Sequence, residues 1–324
     1  MNPLLRRLRR AASGPAGMIA RASSRPLGGG RGLPYPHRAL SGRGSDGLSE
    51  AIAGRVVMVT GASSGIGEEA ARQIGAAGGT VLMVARGAAE LERIAGEINA
   101  AGPGTAAAMP CDLSDLDAID ELAADALGRH GAVDVLVNSA GRSIRRSVAL
   151  SNGRFHDFER TMQLNYFGAV RLILALLPAM RETGSGQIIN VSSAGVQTRT
   201  PRFSGYIASK AALEAFSDAV QAEALADGIR FTTISMPLVR TPMISPTEHY
   251  DRFPALSSDE AGRLITEAIL GRPRRIAPPF AHLVSAIDKV SPEAMDSIRN
   301  RGFRMFPDSP EDRAEPDDEA PGPS

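Results

Sequence analysis

Tyr206 and Lys210 are the residues in this chain whose types and spacing most directly suggest chemistry. A phenol and an ammonium four residues apart on a helix share one face, a turn from each other. A nearby cation favours the phenolate, so the tyrosine pKa is expected to fall from its usual value of about 10. Tyr206 would then exchange a proton near neutral pH, where general acid–base catalysis works best. The sequence has 34 arginines and only two lysines, Lys210 and Lys289. Lysine's slim, rotatable charge fits beside a phenol and a ribose where a planar guanidinium fits poorly. Taken by itself, Tyr-x-x-x-Lys also describes a solvated helix face.

A second constellation lies upstream. Gly61-Ala62-Ser63-Ser64-Gly65-Ile66-Gly67 directly follows the apolar run Val56 to Thr60 and directly precedes a helical segment reaching about Ala77. Glycines at such a junction permit a tight turn and a close backbone approach to a pyrophosphate. The helix N-terminus adds N–H groups and positive dipole. The flanking strand and helix are what phosphate binding requires, which favours a nucleotide site. The spacing Gly-x-x-x-Gly-x-Gly nevertheless differs from the common dinucleotide fingerprint.

The elements that must position these groups alternate along the chain. Predicted strands are Val56–Thr60, Thr80–Ala85, Thr105–Pro110, Val133–Asn138, Gln187–Ser193 and Phe231–Ser235, the last closing the series. Predicted helices include Ala88–Ala100, Asp115–Arg129, one long helix over about Phe155–Arg181, and the Tyr206 helix to about Ala226. Strand–helix alternation implies right-handed βαβ units. The expected fold is α/β, a Rossmann-like doubly wound parallel sheet in a single domain over 51–303. No internal repeat interrupts it.

The second strand ends at Ala85 and Arg86, with no carboxylate. An acidic residue there binds the 2′-hydroxyl of NAD, whereas an arginine accommodates the 2′-phosphate of NADP. NADPH is therefore the expected cofactor. An exposed arginine in an arginine-rich protein is the plainer alternative.

Composition limits the remaining possibilities. Hydrophobic content of 43% and charged content of 22% fit a globular domain, and with no Trp and 4% aromatics the core must be aliphatic. The single cysteine, Cys111, rules out an internal disulfide and reads as a small buried hydrophobe. The longest apolar candidate for a membrane span, Leu172 to Met180, is too short and is flanked by Arg171 and Arg181. No metal site and no nucleic-acid partner are expected.

The net charge of zero conceals an asymmetry. Residues 1–45 carry nine arginines and no acid, which leaves 27 basic and 36 acidic residues in the remainder. Residues 1–50 lack a core-forming period and read as a disordered basic extension. It is a mitochondrial transit peptide, an anchor to an anionic membrane surface, or an ordinary extension or misassigned start. The expected location is cytoplasmic, with peripheral membrane contact through this segment, or mitochondrial if it is cleaved. Residues 304–324 read as an acidic, Pro-rich disordered tail.

Together, Thr60-Gly61-x3-Gly65-x-Gly67, Asn138-Ser139-Ala140-Gly141, Asn165, Ser193 and Tyr206-x3-Lys210 resemble the short-chain dehydrogenase/reductase family over about Gly54 to Met243. The resemblance implies a catalytic tetrad of Asn165, Ser193, Tyr206 and Lys210. Ser193 would hydrogen-bond a substrate carbonyl while Tyr206 protonates its oxygen as hydride arrives. Lys210 would bind the ribose and lower the tyrosine pKa, and Asn165 would hold a water that resupplies protons. Ser192 as the active serine, and Asn165 as a plain backbone brace, are the alternatives. Cofactor contacts would fall to Gly61, Ser63, Ser64, Gly65, Ile66, Gly67, Arg86, Asp112 beside the adenine, Leu113, Asn138 as a strand brace, Ala140, Tyr206, Lys210 and Thr241.

Two positions depart from the family pattern. Ser139 stands where the family usually has Asn. Leu238 follows Pro237 where it usually has Gly, so the turn before Thr241 is expected to differ, because leucine adopts positive φ poorly.

The segments Asn138–Ser147, Phe158–Gly168, Met236–Ile244 and the run from Arg304 are similar to the reductase domain of bacterial fatty acyl-CoA reductases. That similarity implies an NADPH-dependent reductase of long-chain acyl-CoA or fatty aldehyde. The alternatives are a dehydrogenase of 3-oxoacyl, steroid or other alcohol and ketone substrates, and a non-catalytic cofactor-binding regulator. The segment 238–254 is expected to form an apolar lid containing Met243, Ile244, Tyr250 and Phe253. Arg142, Arg145 and Arg146 would meet a CoA phosphate or line a solvated loop. Partners would be a hydrophobic carbonyl substrate and further copies of the chain, as a homodimer or homotetramer packed through the Phe155 and Tyr206 helices.

Overall fold

The computed structural model describes residues 45–243, 253–305 and 307–308. Seven strands form one parallel sheet in the order β3-β2-β1-β4-β5-β6-β7. They are β1 (Val56–Thr60), β2 (Thr80–Ala85), β3 (Thr105–Pro110), β4 (Val135–Asn138), β5 (Gly186–Ser193), β6 (Ile229–Met236) and β7 (Arg275–Ile276). The order reverses between β1 and β4. That switch point opens a crevice at the carboxyl ends of these strands.

Near-continuous apolar strands are buried on both faces, as parallel sheets require. Val57 and Val59 point toward α1 (Ser45–Ile52), α2 (Gly65–Ala76), α3 (Ala88–Ala101) and α9 (Ser258–Gly271), packing with Ile74, Ile94 and Ile265. Met58 points the other way and packs with Ile119, Ile173 and Leu213. Those residues come from α4 (Leu116–His130), α6 (Ala169–Glu182) and α8 (Ser204–Ala224).

Several boundaries differ from the sequence reading. Residues 45–50 belong to the fold, because α1 seats Ile52 at 0% exposure in the core. Residues 1–44 lie outside the described residues. At the other end α11 (Pro292–Met305) runs past 303. Arg202 stacks over the Phe303 ring at 4.0 Å and its Nε donates to Asp308 at 2.6 Å. The start of the tail is therefore docked on the loop before α8.

Strand β7 and the helices α9, α10 (Pro279–Val290) and α11 extend the molecule beyond the point where β6 was expected to close it. A two-residue strand leaves no periodic signal to read. A short helix, α7 (Ala194–Thr198), also follows β5.

The expected long helix is α5 (Phe155–Met162) and α6 joined by a π-helical turn, Gln163–Gly168. By length and composition alone, Phe155–Glu182 would suffice to cross a membrane. Leu172, Ile173, Leu176, Leu177 and Met180 face the domain core, and Arg171 and Arg181 pair with Asp120 and Asp227. It is a core helix.

Candidate active site

The glycine loop lines the crevice. Gly61 has φ +69°, and a Cβ there would lie 2.8 Å from the Cα of Ala140 at the end of β4. A Cβ on Gly67 would stand 2.2 Å from the Gly61 carbonyl. Glycine alone lets the strand end, the turn and α2 approach this closely. Gly61 and Ala62 donate their N–H groups to Val84 O at 2.8 and 3.2 Å, tying the loop to β2. Ser64 is the N-cap of α2 but makes no capping hydrogen bond with its side chain, and Ser63, Ser64 and Ile66 are half-buried. An uncapped helix start beside a glycine cradle fits a pyrophosphate. Thr241 packs against this loop, 3.1 Å from a Cβ built on Gly65.

Asn138 is buried at the end of β4 and donates to Asn190 Oδ1 on β5 at 2.8 Å, as a strand brace should. Thr60 Oγ1 accepts the N–H groups of Ser139 (3.0 Å) and Ala140 (3.1 Å), which shapes the turn after β4. Serine at position 139 leaves this backbone arrangement in place.

Arg86 stands exposed just past β2. Asp112 is exposed and Leu113 buried at the next strand end. Burial alone would raise the Asp112 pKa. Hydrogen bonds from Ser114, with Arg86 and Arg142 nearby, outweigh it and hold the carboxyl below the ordinary range.

Around Tyr206 the structure brings together all four residues of the expected tetrad. Ser193 and Tyr206 share a hydrogen bond, and Ser193 Oγ also accepts from Gly195 N at 3.0 Å. Ser192 points elsewhere and donates to Glu214 Oε1 at 2.5 Å. Alternation along β5 thus selects Ser193 as the hydroxyl facing the phenol.

Asn165 sits in the π-turn at 1% exposure. Its Oδ1 accepts Arg142 N at 2.8 Å, and its Nδ2 donates to Arg142 O and Ser209 Oγ, both at 2.9 Å. Both amide hydrogens are therefore committed, and one Oδ1 lone pair is left for a water. The π-turn is what aims Asn165 inward; no sequence period signals it.

The expected depression of the Tyr206 pKa is corrected. Tyr206 is half-buried by surface area, but its hydroxyl lies in dense surroundings, and burial pushes it up to about 12 against the lowering effect of the Ser193 hydrogen bond. The buried Lys210 donates from Nζ to Val191 O at 2.9 Å, and burial pushes its pKa down to about 8. A lysine tied to the strand does not ion-pair with the phenol.

The loop arginines separate. Arg146 is buried and pairs with Asp157 at 3.1 Å, as do Arg154 at 3.4 Å and Arg160 at 3.0 Å. That removes Arg146 from the expected phosphate contact. Arg142 is half-buried near Arg86 and Arg160. Its pKa is lowered, first by burial and then by those two cations. A water-sized cavity of about 20 Å³ beside Tyr206 touches Phe158, Thr161 and Gly205.

Leu238 does not adopt positive φ, and the chain leaves β6 extended, with Val239 paired to Leu256. Of the expected lid, Met243 and Phe253 are exposed, while Ile244 and Tyr250 lie outside the described residues. Cys111 is buried, as expected of a small hydrophobe, and burial pushes its thiol up to about 11.

The short chain dehydrogenase family model matches residues 55–251. The chain belongs to that family. An uncharacterised oxidoreductase of Mycobacterium tuberculosis is 53% identical over 301 residues, covering 91% of this chain and 87% of that protein. A fatty acyl-CoA reductase of Acinetobacter baylyi is 52% identical over 260 residues, covering 80% and 88% respectively. Among solved structures, a metagenomic short-chain oxidoreductase in complex with NADP has a TM-score of 0.60 at 30% identity, covering 68% of this chain and 92% of that one. The protein is accordingly an NAD(P)-dependent oxidoreductase.

Sequence reasoning missed Ser209, Glu214 and Arg275 as supports of this site. Ser209 was legible in principle, being the residue before Lys210. Arg275 comes from the unpredicted β7.

Proposed function

We propose that this enzyme uses NADPH to reduce a long-chain carbonyl, either a fatty acyl-CoA or the derived aldehyde, with Tyr206 as the proton donor. The observation that carries the substrate class is the 52% identity over most of both chains with the Acinetobacter baylyi fatty acyl-CoA reductase. The phosphate preference rests on Arg86 and on the missing carboxylate at the end of β2.

The bound nicotinamide would supply hydride. Gly61, Ser63, Ser64, Gly65, Ile66 and Gly67 would hold its pyrophosphate, and Asp112, Leu113, Asn138, Ala140 and Thr241 would line its remaining length. Ser193 would donate a hydrogen bond to the substrate carbonyl, and Tyr206 would pass its proton to the same oxygen. With an aldehyde this gives the alcohol, and with an acyl-CoA a thiohemiacetal whose C–S bond then breaks to release the aldehyde and the CoA thiol. A phenol held at about 12 stays protonated at neutral pH, as a donor must. Lys210 would hold ribose hydroxyls and lower the phenol's pKa once its charge is no longer confined to Val191 O. Asn165 has one acceptor position left for a water on the return path of the proton.

Purified protein, NADPH, and a panel of palmitoyl-CoA, hexadecanal, a 3-oxoacyl thioester and steroid ketones form the test. Oxidation of NADPH with palmitoyl-CoA or hexadecanal is expected. Turnover confined to the steroids or the 3-oxoacyl thioester would refute the substrate, and no turnover on any carbonyl would favour a cofactor-binding regulator.

We further propose a cytoplasmic homodimer or homotetramer that packs through the α5–α6 and α8 faces; Phe155, Phe167 and Leu174 are exposed along the α5–α6 segment. Light scattering tests the assembly, and N-terminal sequencing of the mature protein tests whether the basic segment is removed or kept for membrane contact.

A further inference from the structure

The buried face of α8 is unusually polar. Lys210, Glu214 and Ser217, at i, i+4 and i+7, each engage β5. Lys210 Nζ donates to Val191 O at 2.9 Å, Glu214 Oε1 accepts from Ser192 Oγ at 2.5 Å, and Asn190 Nδ2 donates to Ser217 Oγ at 2.8 Å. Two successive turns of the helix thereby grip the two residues immediately before Ser193. An apolar face would have fixed the packing distance without fixing this register.

Glu214 is the unusual member. It is 8% exposed, yet both carboxylate oxygens are engaged: Oε1 by Ser192, and Oε2 by Arg275 Nη1 from β7 at 2.6 Å. Its charge lies one helical turn from the Lys210 ammonium, which is 4% exposed. Burying an ammonium is costly unless an opposite charge stands near it. Gly141 and Asn165 lie beside Lys210 Nζ and bring no carboxylate. Glu214 is the acid whose field acts on it.

Other charges near Glu214 lie farther from the site. Asp218, a turn beyond on α8, pairs with Arg274 and with Arg275 at 3.5 Å. Arg199, His282, Asp288 and Lys289 line the far wall of a cavity of about 380 Å³ that reaches Glu214 and Arg275. Arg199 is paired with Asp288 at 2.6 Å.

We infer that Glu214 is a positioning residue for the reaction: its carboxylate, gripped by Ser192 and balanced by Arg275, keeps Lys210 charged and holds the end of β5 so that Ser193 faces Tyr206. The inference rests on Lys210 acting in the proposed reaction only for its functional meaning. The electrostatic linkage is measurable without any substrate.

The sequence makes that measurement clean. With two lysines in the chain, lysine labelled with carbon-13 at the ε position gives two resonances, one from buried Lys210 and one from exposed Lys289. In Glu214→Gln, which keeps the shape and an acceptor for Ser192, the Lys210 titration midpoint is expected to fall by roughly half a unit or more. Arg275→Gln leaves the carboxylate less balanced and should move the midpoint upward. A packing defect would not produce shifts of opposite sign from two neighbouring substitutions.

If neither substitution moves Lys210 by more than ~0.2 units, or both move it the same way, the linkage is wrong. Arg275 is partly exposed and its variant carries the test if Glu214→Gln folds poorly. With whichever carbonyl the enzyme reduces, the basic limb of kcat against pH should follow the same signs while KM for that carbonyl changes less than about twofold. Failure of the fatty substrates would overturn the proposed function and leave the resonance data readable.

Discussion

Replacing Lys210 by Met should make the cofactor-free protein more stable while removing its activity. Burial pushes Lys210 from 10.5 in the unfolded chain down to about 8 in the fold. Between these values the unfolded chain still holds a proton that the folded chain has released, so wild-type stability must rise with pH from 8 to 10.5 and is lowest below 8. At about 1.36 kcal/mol per unit, the charged lysine costs about 3 kcal/mol at neutral pH. Losing the hydrogen bond to Val191 O offsets about 1 kcal/mol of the gain from Met. The net effect at pH 7 is about 2 kcal/mol, or roughly 4–8 °C in Tm for a domain of this size. The assay is denaturant unfolding of both proteins at pH 7 and pH 9.5. Wild type should gain about 2 kcal/mol between the two and close the gap to the variant, which has nothing to titrate there. A difference between the proteins that is the same at both pH values would show that Lys210 is not held charged against burial, and the reasoning would fall.

Three further outcomes are expected. Tyr206→Phe should lower kcat by about 10²-fold or more and leave the dissociation constant for NADPH, read by fluorescence titration, within a fewfold; near-normal turnover would remove the phenol from its role. Arg86→Asp should shift the ratio of kcat/KM for NADPH over NADH toward NADH by about tenfold or more, and an unchanged ratio would count against the ribose argument. Gly67→Ala places a Cβ 2.2 Å from the Gly61 carbonyl, so it should cost about 1–3 kcal/mol in chemical denaturation and weaken cofactor binding, because backbone must move to admit it. Unchanged stability and affinity together would mean that the loop is not packed as described.

The parts legible in the sequence are those set by short-range rules. Strand β2 was bounded residue for residue because an apolar run between polar turns admits few readings, and the glycine loop announced itself between β1 and α2. The tetrad of Asn165, Ser193, Tyr206 and Lys210 was read from the resemblance to the family's motifs, not from local periodicity. The missing acid after Ala85 was also visible directly.

Tertiary structure decided what depends on neighbours distant in the chain. The choice between Ser192 and Ser193 is made by the pleat of β5 against α8, which turns one hydroxyl to Glu214 and the other to Tyr206. The π-turn that aims Asn165, the two-residue β7 that delivers Arg275, and the pairing of Arg146 with Asp157 leave no periodic trace. Above all, the spacing of Tyr206 and Lys210 gave their shared face but not their protonation. A pKa is set by the burial and partners of each group, and here burial drives the phenol up and the ammonium down. Sequence alone marked Asn165, the Ser192–Ser193 pair, Tyr206 and Lys210 as the candidates, and packing chose the serine, aimed the amide and set how tightly the phenol and the ammonium hold their protons.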